Sequence, residues 1–77
     1  MVDACNFLPG YGIGGTDKSS GDANSPAECA NLVRSKETSA TGASYKTTTR
    51  ECYADFEATG TKNRSPWVTC RFDGNLL

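Results

Sequence analysis

Seventy-seven residues, 36% of them hydrophobic, make one domain whose core alone contributes only about 3–5 kcal/mol. Eight Lys and Arg are interleaved with nine Asp and Glu for a net charge of −1, which leaves no basic stripe for a nucleic-acid backbone. No apolar run approaches the roughly 20 residues of a membrane-spanning helix, so membrane insertion is not expected either.

A small core calls for staples. Cys5, Cys29, Cys52 and Cys70 are even in number, spread along the chain and never at C-x-x-C spacing. The absence of histidine removes the usual partner of cysteine in zinc sites, and neither a metal nor a cofactor is expected. Two disulfides are the better reading, and they place the domain in an oxidising compartment, with secretion the first expectation. Met1 and Val2 are followed at once by Asp3, which is no signal peptide; the chain reads as a mature protein or an excised module with an added start methionine. Asn63-Arg64-Ser65 fits the N-glycosylation pattern, but Pro66 directly after it counts against modification. The pattern gives weak support for an exposed extracellular loop.

In chain order, Phe7 and Leu8 suit a short first strand beside Cys5. From Asn6 to Asn24 the sequence otherwise reads as turns and loops: Pro9, Gly10, Gly12, Gly14 and Gly15, then a polar run without apolar period. Tyr11 and Ile13 are expected to pin the glycine segment to the core. Ser25-Pro26-Ala27-Glu28 is a helix start, with Ser25 as N-cap, Pro26 in the first turn and Glu28 reaching back to the cap nitrogen. The helix should run from Pro26 to about Lys36, with Cys29, Leu32 and Val33 on the core stripe and Glu28, Asn31, Arg34 and Ser35 facing water.

Ala43 to Lys46 reads as a short strand and Thr47 to Thr49 as a turn or strand end. In the strand Arg50 to Phe56, Cys52, Ala54 and Phe56 point inward, while Tyr53, Asp55 and Glu57 point outward. A polar loop from Ala58 to Pro66 leads to the strand Trp67 to Phe72. There Val68, Cys70 and Phe72 share the inner face and Trp67, Thr69 and Arg71 the outer. Gly74 to Leu77 is a short tail, and residues 1–77 form a single module with its core at about 5–72.

Four cysteines allow three connectivities, and their count alone selects none. A helix packed on the inner face of the sheet brings Cys29 over Cys52, which leaves Cys5 and Cys70 to join the first and last strands. In the loop-entropy picture such bridges are worth ~3.5 and ~4.3 kcal/mol.

The capped helix with Glu28-Cys29-Ala30-Asn31-Leu32-Val33, then Gly42-Ala43-Ser44-Tyr45, Glu51-Cys52-Tyr53-Ala54-Asp55-Phe56 and Trp67-Val68-Thr69-Cys70-Arg71-Phe72, resembles the PAN/Apple module. The resemblance implies an α+β fold: a small antiparallel sheet with one helix packed across it, a helix-to-strand disulfide and often a bridge between the two ends. Cys29–Cys52 and Cys5–Cys70 match those bridges. Many Apple modules carry a further helix cysteine one turn on, paired with one ahead of the next strand. Val33 and roughly Ala40 occupy those places here, which makes this a four-cysteine variant.

Gly10 to Gly15 spells the dinucleotide-binding pattern GxGxxG, but Pro9 precedes it and Thr16 to Asn24 separate it from the helix that would face a pyrophosphate. A backbone turn is the better reading. Asp17 to Asp22, with Glu28 beyond, faintly imitates a calcium loop but lacks its central glycine, so a solvated loop is expected. Asp55 and Glu57 share a strand face as a glycosidase pair would, yet cross-strand pairing with Arg71 or Arg50 suits them better in a chain too short to wall a cleft. Without histidine a Ser-His or Cys-His nucleophile is excluded, and the domain is expected not to be an enzyme.

Trp67 should share the outward face with Tyr53, although a second layer from the N-terminal segment would cover that face, and a lone tryptophan in a tiny domain often belongs to the core. The PAN/Apple resemblance implies recognition of carbohydrate or extracellular protein in adhesion, matrix or defence settings. Tyr11, Asn63, Arg64 and Trp67 are the candidate ligand-binding residues, aromatic rings beside polar and cationic groups. The alternatives are a structural unit of a secreted or matrix assembly and a small secreted inhibitor or toxin acting through the Gly10 to Gly15 loop. As an isolated module the chain is expected to be monomeric.

Overall fold

The computed structural model describes residues 5–58 and 60–72; the expected tail from Gly74 to Leu77 and the first four residues lie outside that range. Ser25 is extended (φ −158°, ψ 162°), and its Oγ accepts the Glu28 N–H at 3.1 Å, so helix α1 starts at Pro26 and runs to Lys36. The Glu28 carboxylate reaches back one residue further than expected, to the Asn24 N–H at 3.2 Å rather than to the cap nitrogen itself. Cys29, Ala30 and Val33 form the buried face of α1, and Leu32 packs half-buried at its margin. Arg34 does not simply face water as expected: its guanidinium lies 4.5 Å from the centroid of the Phe72 ring.

Strands β1 (Leu8–Pro9), β2 (Tyr11–Ile13), β3 (Thr16–Asp22), β4 (Gly42–Lys46), β5 (Glu51–Phe56), β6 (Gly60–Lys62) and β7 (Trp67–Arg71) complete the chain. Five of them make one sheet in the order β1-β7-β4-β5-β3, antiparallel throughout. The fold is α+β, a small antiparallel sheet with one helix packed across it.

The core lies between α1 and the inner face of this sheet. Cys29, Ala30 and Val33 meet Ala43 and Tyr45 of β4, Cys52 and Ala54 of β5, and Cys70 of β7. Small side chains on the strands let the helix approach closely, and Tyr45 spans the remaining gap to donate its hydroxyl to the Ala23 carbonyl at 2.8 Å. Two disulfides staple this layer, Cys29–Cys52 between helix and sheet and Cys5–Cys70 between the N-terminal segment and β7. Val33, buried, and Ala40, packed half-buried against the core, are filled apolar positions.

Three segments depart from the expected turns and loops. Thr16 to Asp22 is an edge strand paired with β5, with a bulge between Ser19 and Gly21. Its residues are polar because almost all of them remain exposed at the sheet edge, and such a strand carries no apolar alternation to read. Gly60 to Lys62, expected within a polar loop, pairs with Tyr11 to Ile13 as a two-stranded ladder. The ladder packs on β4 and β7 and so supplies a second layer over the outer face. Within it Tyr11 is half-buried, whereas Ile13 is 40% exposed and does not anchor the segment as expected.

Candidate functional site

Alternation along the strands sends Ser44, Tyr53, Asp55, Trp67 and Thr69 to the outer face, and register brings them together: Ser44 pairs with Tyr53 on one side and Thr69 on the other. Tyr53 and Trp67 contact each other with ring centroids 5.6 Å apart and planes tilted by 55°. Lys46 Nζ stands 5.9 Å from the Trp67 ring centroid, at the outer limit of a cation–π contact.

The chain crosses from β1 to β2 at Gly10, whose φ of +112° and close approach to the Lys62 carbonyl exclude any side chain. Its N–H donates to the Trp67 carbonyl at 2.7 Å and its carbonyl accepts from Thr69 Oγ1 at 2.8 Å. This double tether swings β2 over the outer face. Tyr11 and Gly12 then form one wall of a cleft of about 220 Å³, with Ser44 and Asp17 from the sheet, Trp67 at the start of β7 and Arg64 from the preceding loop as its other lining.

Three of the four residues expected at a binding site, Tyr11, Arg64 and Trp67, thus line one cleft. Asn63 does not: it lies on the adjoining groove of about 230 Å³ with Pro9, Thr47, Ser65, Pro66, Trp67 and Val68. Trp67 lies between the two hollows and is half-buried, neither core nor free surface.

Asp55 is only 4% exposed beside this cleft, a correction to its expected exposed position with an arginine partner. Its Oδ2 lies 2.6 Å from Ser44 Oγ, and a Cβ on Gly12 would come within 3.2 Å of it. Gly12 therefore seals β2 against the carboxyl. Burial, opposed by the Ser44 hydrogen bond and assisted by the nearby Asp17 charge, pushes the Asp55 pKa up to about 6. Arg50 instead donates to Asn24 Oδ1 at 3.1 Å. Glu57, expected on the same face as Asp55, leaves the strand at φ 61° and takes Thr41 Oγ1 as acceptor for its N–H at 2.8 Å. The two carboxyls do not form a glycosidase-like pair.

The calcium-loop residues are also accounted for. Asp17 and Asp22 belong to β3, and Glu28 is engaged at the start of α1. The glycine segment is equally far from a nucleotide loop, since Gly10 to Gly15 links β1, β2 and β3 and feeds no helix. A smaller hollow of about 150 Å³ between these glycines and Asp17 and Asp55 adjoins the main cleft.

Compared with known proteins, the chain matches no family model, no curated protein and no solved structure.

Proposed function

We propose that this chain is a non-catalytic recognition module of the extracellular space that binds carbohydrate or protein through the Tyr11–Trp67 cleft. The observation that carries the reading is the convergence of Tyr11, Arg64 and Trp67, from three separate segments, on one hollow of about 220 Å³. Small-molecule sites usually occupy roughly 300–1,000 Å³. The size suits a single sugar ring or one protruding side chain of a protein partner, and is small for a nucleotide. Flat aromatic rings offer stacking to the apolar face of a sugar, and Arg64 and Asp17 offer hydrogen bonds to its hydroxyls.

Two disulfides support an oxidising, extracellular setting. A helix laid across an antiparallel sheet, a helix-to-strand bridge and a bridge from the N-terminal segment to the last strand are also what a PAN/Apple-like module implies, and we read the chain as a four-cysteine relative of that module. The inhibitor or toxin reading draws less support, because Tyr11 to Ile13 of the glycine segment it relies on is held as β2 against β6.

The test is a glycan and secreted-protein array probed with the wild-type module and Trp67→Ala in parallel. Binding that is lost in the variant is expected. An empty array, or binding indifferent to the substitution, would favour a structural unit of a larger assembly.

A further inference from the structure

Three short oxygen contacts form one chain through the outer layer: Gly10 O to Thr69 Oγ1 at 2.8 Å, Thr69 Oγ1 to Ser44 Oγ at 2.8 Å, and Ser44 Oγ to Asp55 Oδ2 at 2.6 Å. Each contact needs one proton. The carbonyl brings none and each hydroxyl brings one, so three contacts must share two hydroxyl protons. The group on this chain able to supply the third is the Asp55 carboxyl.

With Asp55 neutral, its O–H donates to Ser44, Ser44 donates to Thr69, Thr69 donates to the Gly10 carbonyl, and all contacts are filled. With Asp55 ionised, Ser44 turns its proton to the carboxylate. Thr69 can then serve either Ser44 or Gly10 but not both, and one buried acceptor pair is left without a proton.

The surroundings favour the neutral form. Asp55 is 4% exposed, and directly opposite it on β3 stands Asp17, a like charge. The remaining titratable or charged groups of the elements around this face are Lys18 and Asp22 on β3, Glu51 and Tyr53 on β5, Lys46 on β4, Arg71 on β7, Tyr11 on β2 with Lys62 paired to it on β6, and Arg64 in the loop. Of all these, the charge acting on Asp55 is that of Asp17.

We propose that Asp55 is a proton switch for the cleft: neutral, it completes a hydroxyl relay that clamps the Gly10 carbonyl and with it the strand of Tyr11; ionised, it breaks the relay and loosens that wall. Its consequence for ligand rests on the recognition reading above. The relay itself belongs to the free protein, so the two fail separately.

The test is an NMR titration of the unliganded module from about pH 4 to about pH 8, following the Asp55 carboxyl carbon and the Gly10 and Tyr11 amides. The expected result is an Asp55 midpoint near 6 that Gly10 and Tyr11 share. Exchange of the Gly10 N–H, relative to its unstructured rate, should rise roughly fivefold above that midpoint, the worth of about one hydrogen bond. Thr69→Val cuts the relay at its middle while keeping its shape: Asp55 still titrates, and Gly10 no longer follows. Asp55→Asn supplies an N–H donor at every pH and holds Gly10 in its acid-form position throughout.

An Asp55 midpoint in the ordinary carboxylate range overturns the proposal, and so does a Gly10 response that persists unchanged in Thr69→Val. Should either variant fail to fold, Ser44→Ala makes the same cut beside the carboxyl. An empty glycan array leaves this titration standing, and a flat titration leaves an array result standing.

Discussion

Asp17 and Asp55 stand directly opposite one another on β3 and β5, two carboxyls paired across the ladder on the face that carries the cleft. Like charges in such positions repel, and one of the pair is buried, so the folded state favours a proton on Asp55. Its ordinary pKa of 3.8 is raised to about 6, by burial first. The stability this group contributes is therefore fullest below pH 3.8, declines as the pH rises toward 6 and stays low beyond, a difference of about 3 kcal/mol. Denaturant midpoints measured on either side of that window should show the fall in wild type and much less of it in Asp55→Asn. Asp17→Asn should lower the Asp55 midpoint and recover about 0.2–1 kcal/mol at neutral pH.

Disulfide connectivity is directly measurable. Non-reducing peptide mapping should return Cys5 joined to Cys70 and Cys29 joined to Cys52. Replacing both Cys29 and Cys52 by alanine should cost ~3.5 kcal/mol, and full reduction should unfold the domain, because the two bridges together rival its whole stability. Circular dichroism before and after reduction checks the second outcome.

Val33 is fully buried at the centre of the helix–sheet contact. Val33→Ala removes its methyl groups and leaves a void the bridged helix cannot close. A loss of about 2 kcal/mol is expected in urea unfolding, with the slope of the transition unchanged.

Gly10→Ala tests the crossing from β1 to β2. A Cβ at φ +112° would be strained and would run into the Lys62 carbonyl, so the β2–β6 layer must shift or detach. A destabilisation of about 1–3 kcal/mol is expected, with amide shifts concentrated in residues 8–13 and 60–67 while α1 keeps its signals. An alanine tolerated without such shifts would show that β2 is not held through Gly10.

Local chemistry made the inner layer legible. Ser25, Pro26 and Glu28 set the start of α1, the alternation of Cys52, Ala54 and Phe56 set the inner face of β5, and a helix over that face brings Cys29 over Cys52. The sheet edge and the outer layer were not legible for equally local reasons. Thr16 to Asp22 is all polar, an edge strand with no apolar rhythm, and Gly60 to Lys62 is too short to carry one.

The site follows the same division. Trp67, Arg64 and Tyr11 announced themselves as aromatic and cationic residues in polar surroundings. Ser44, Thr69 and Asp55 are ordinary outward positions until strand register sets them side by side and β2 covers them. The available signal was a polar residue flanked by apolar ones in three strands at once: Ser44 between Ala43 and Tyr45, Asp55 between Ala54 and Phe56, Thr69 between Val68 and Cys70. It identifies the outer face, but only the pairing of β4 with both β5 and β7 turns three separate residues into a network.

Mapping binding onto the fold shows whether the Tyr11–Trp67 cleft takes a ligand. Amide and indole signals of the labelled module are followed while a panel of monosaccharides and short glycans is added. Shifts are expected only at Tyr11, Gly12, Arg64, Trp67 and their strand neighbours, and none in Trp67→Ala although that variant keeps its α1 signals. Shifts clustered on the exposed face of α1, or a cleft silent to every glycan and protein partner tried, would contradict a ligand site there.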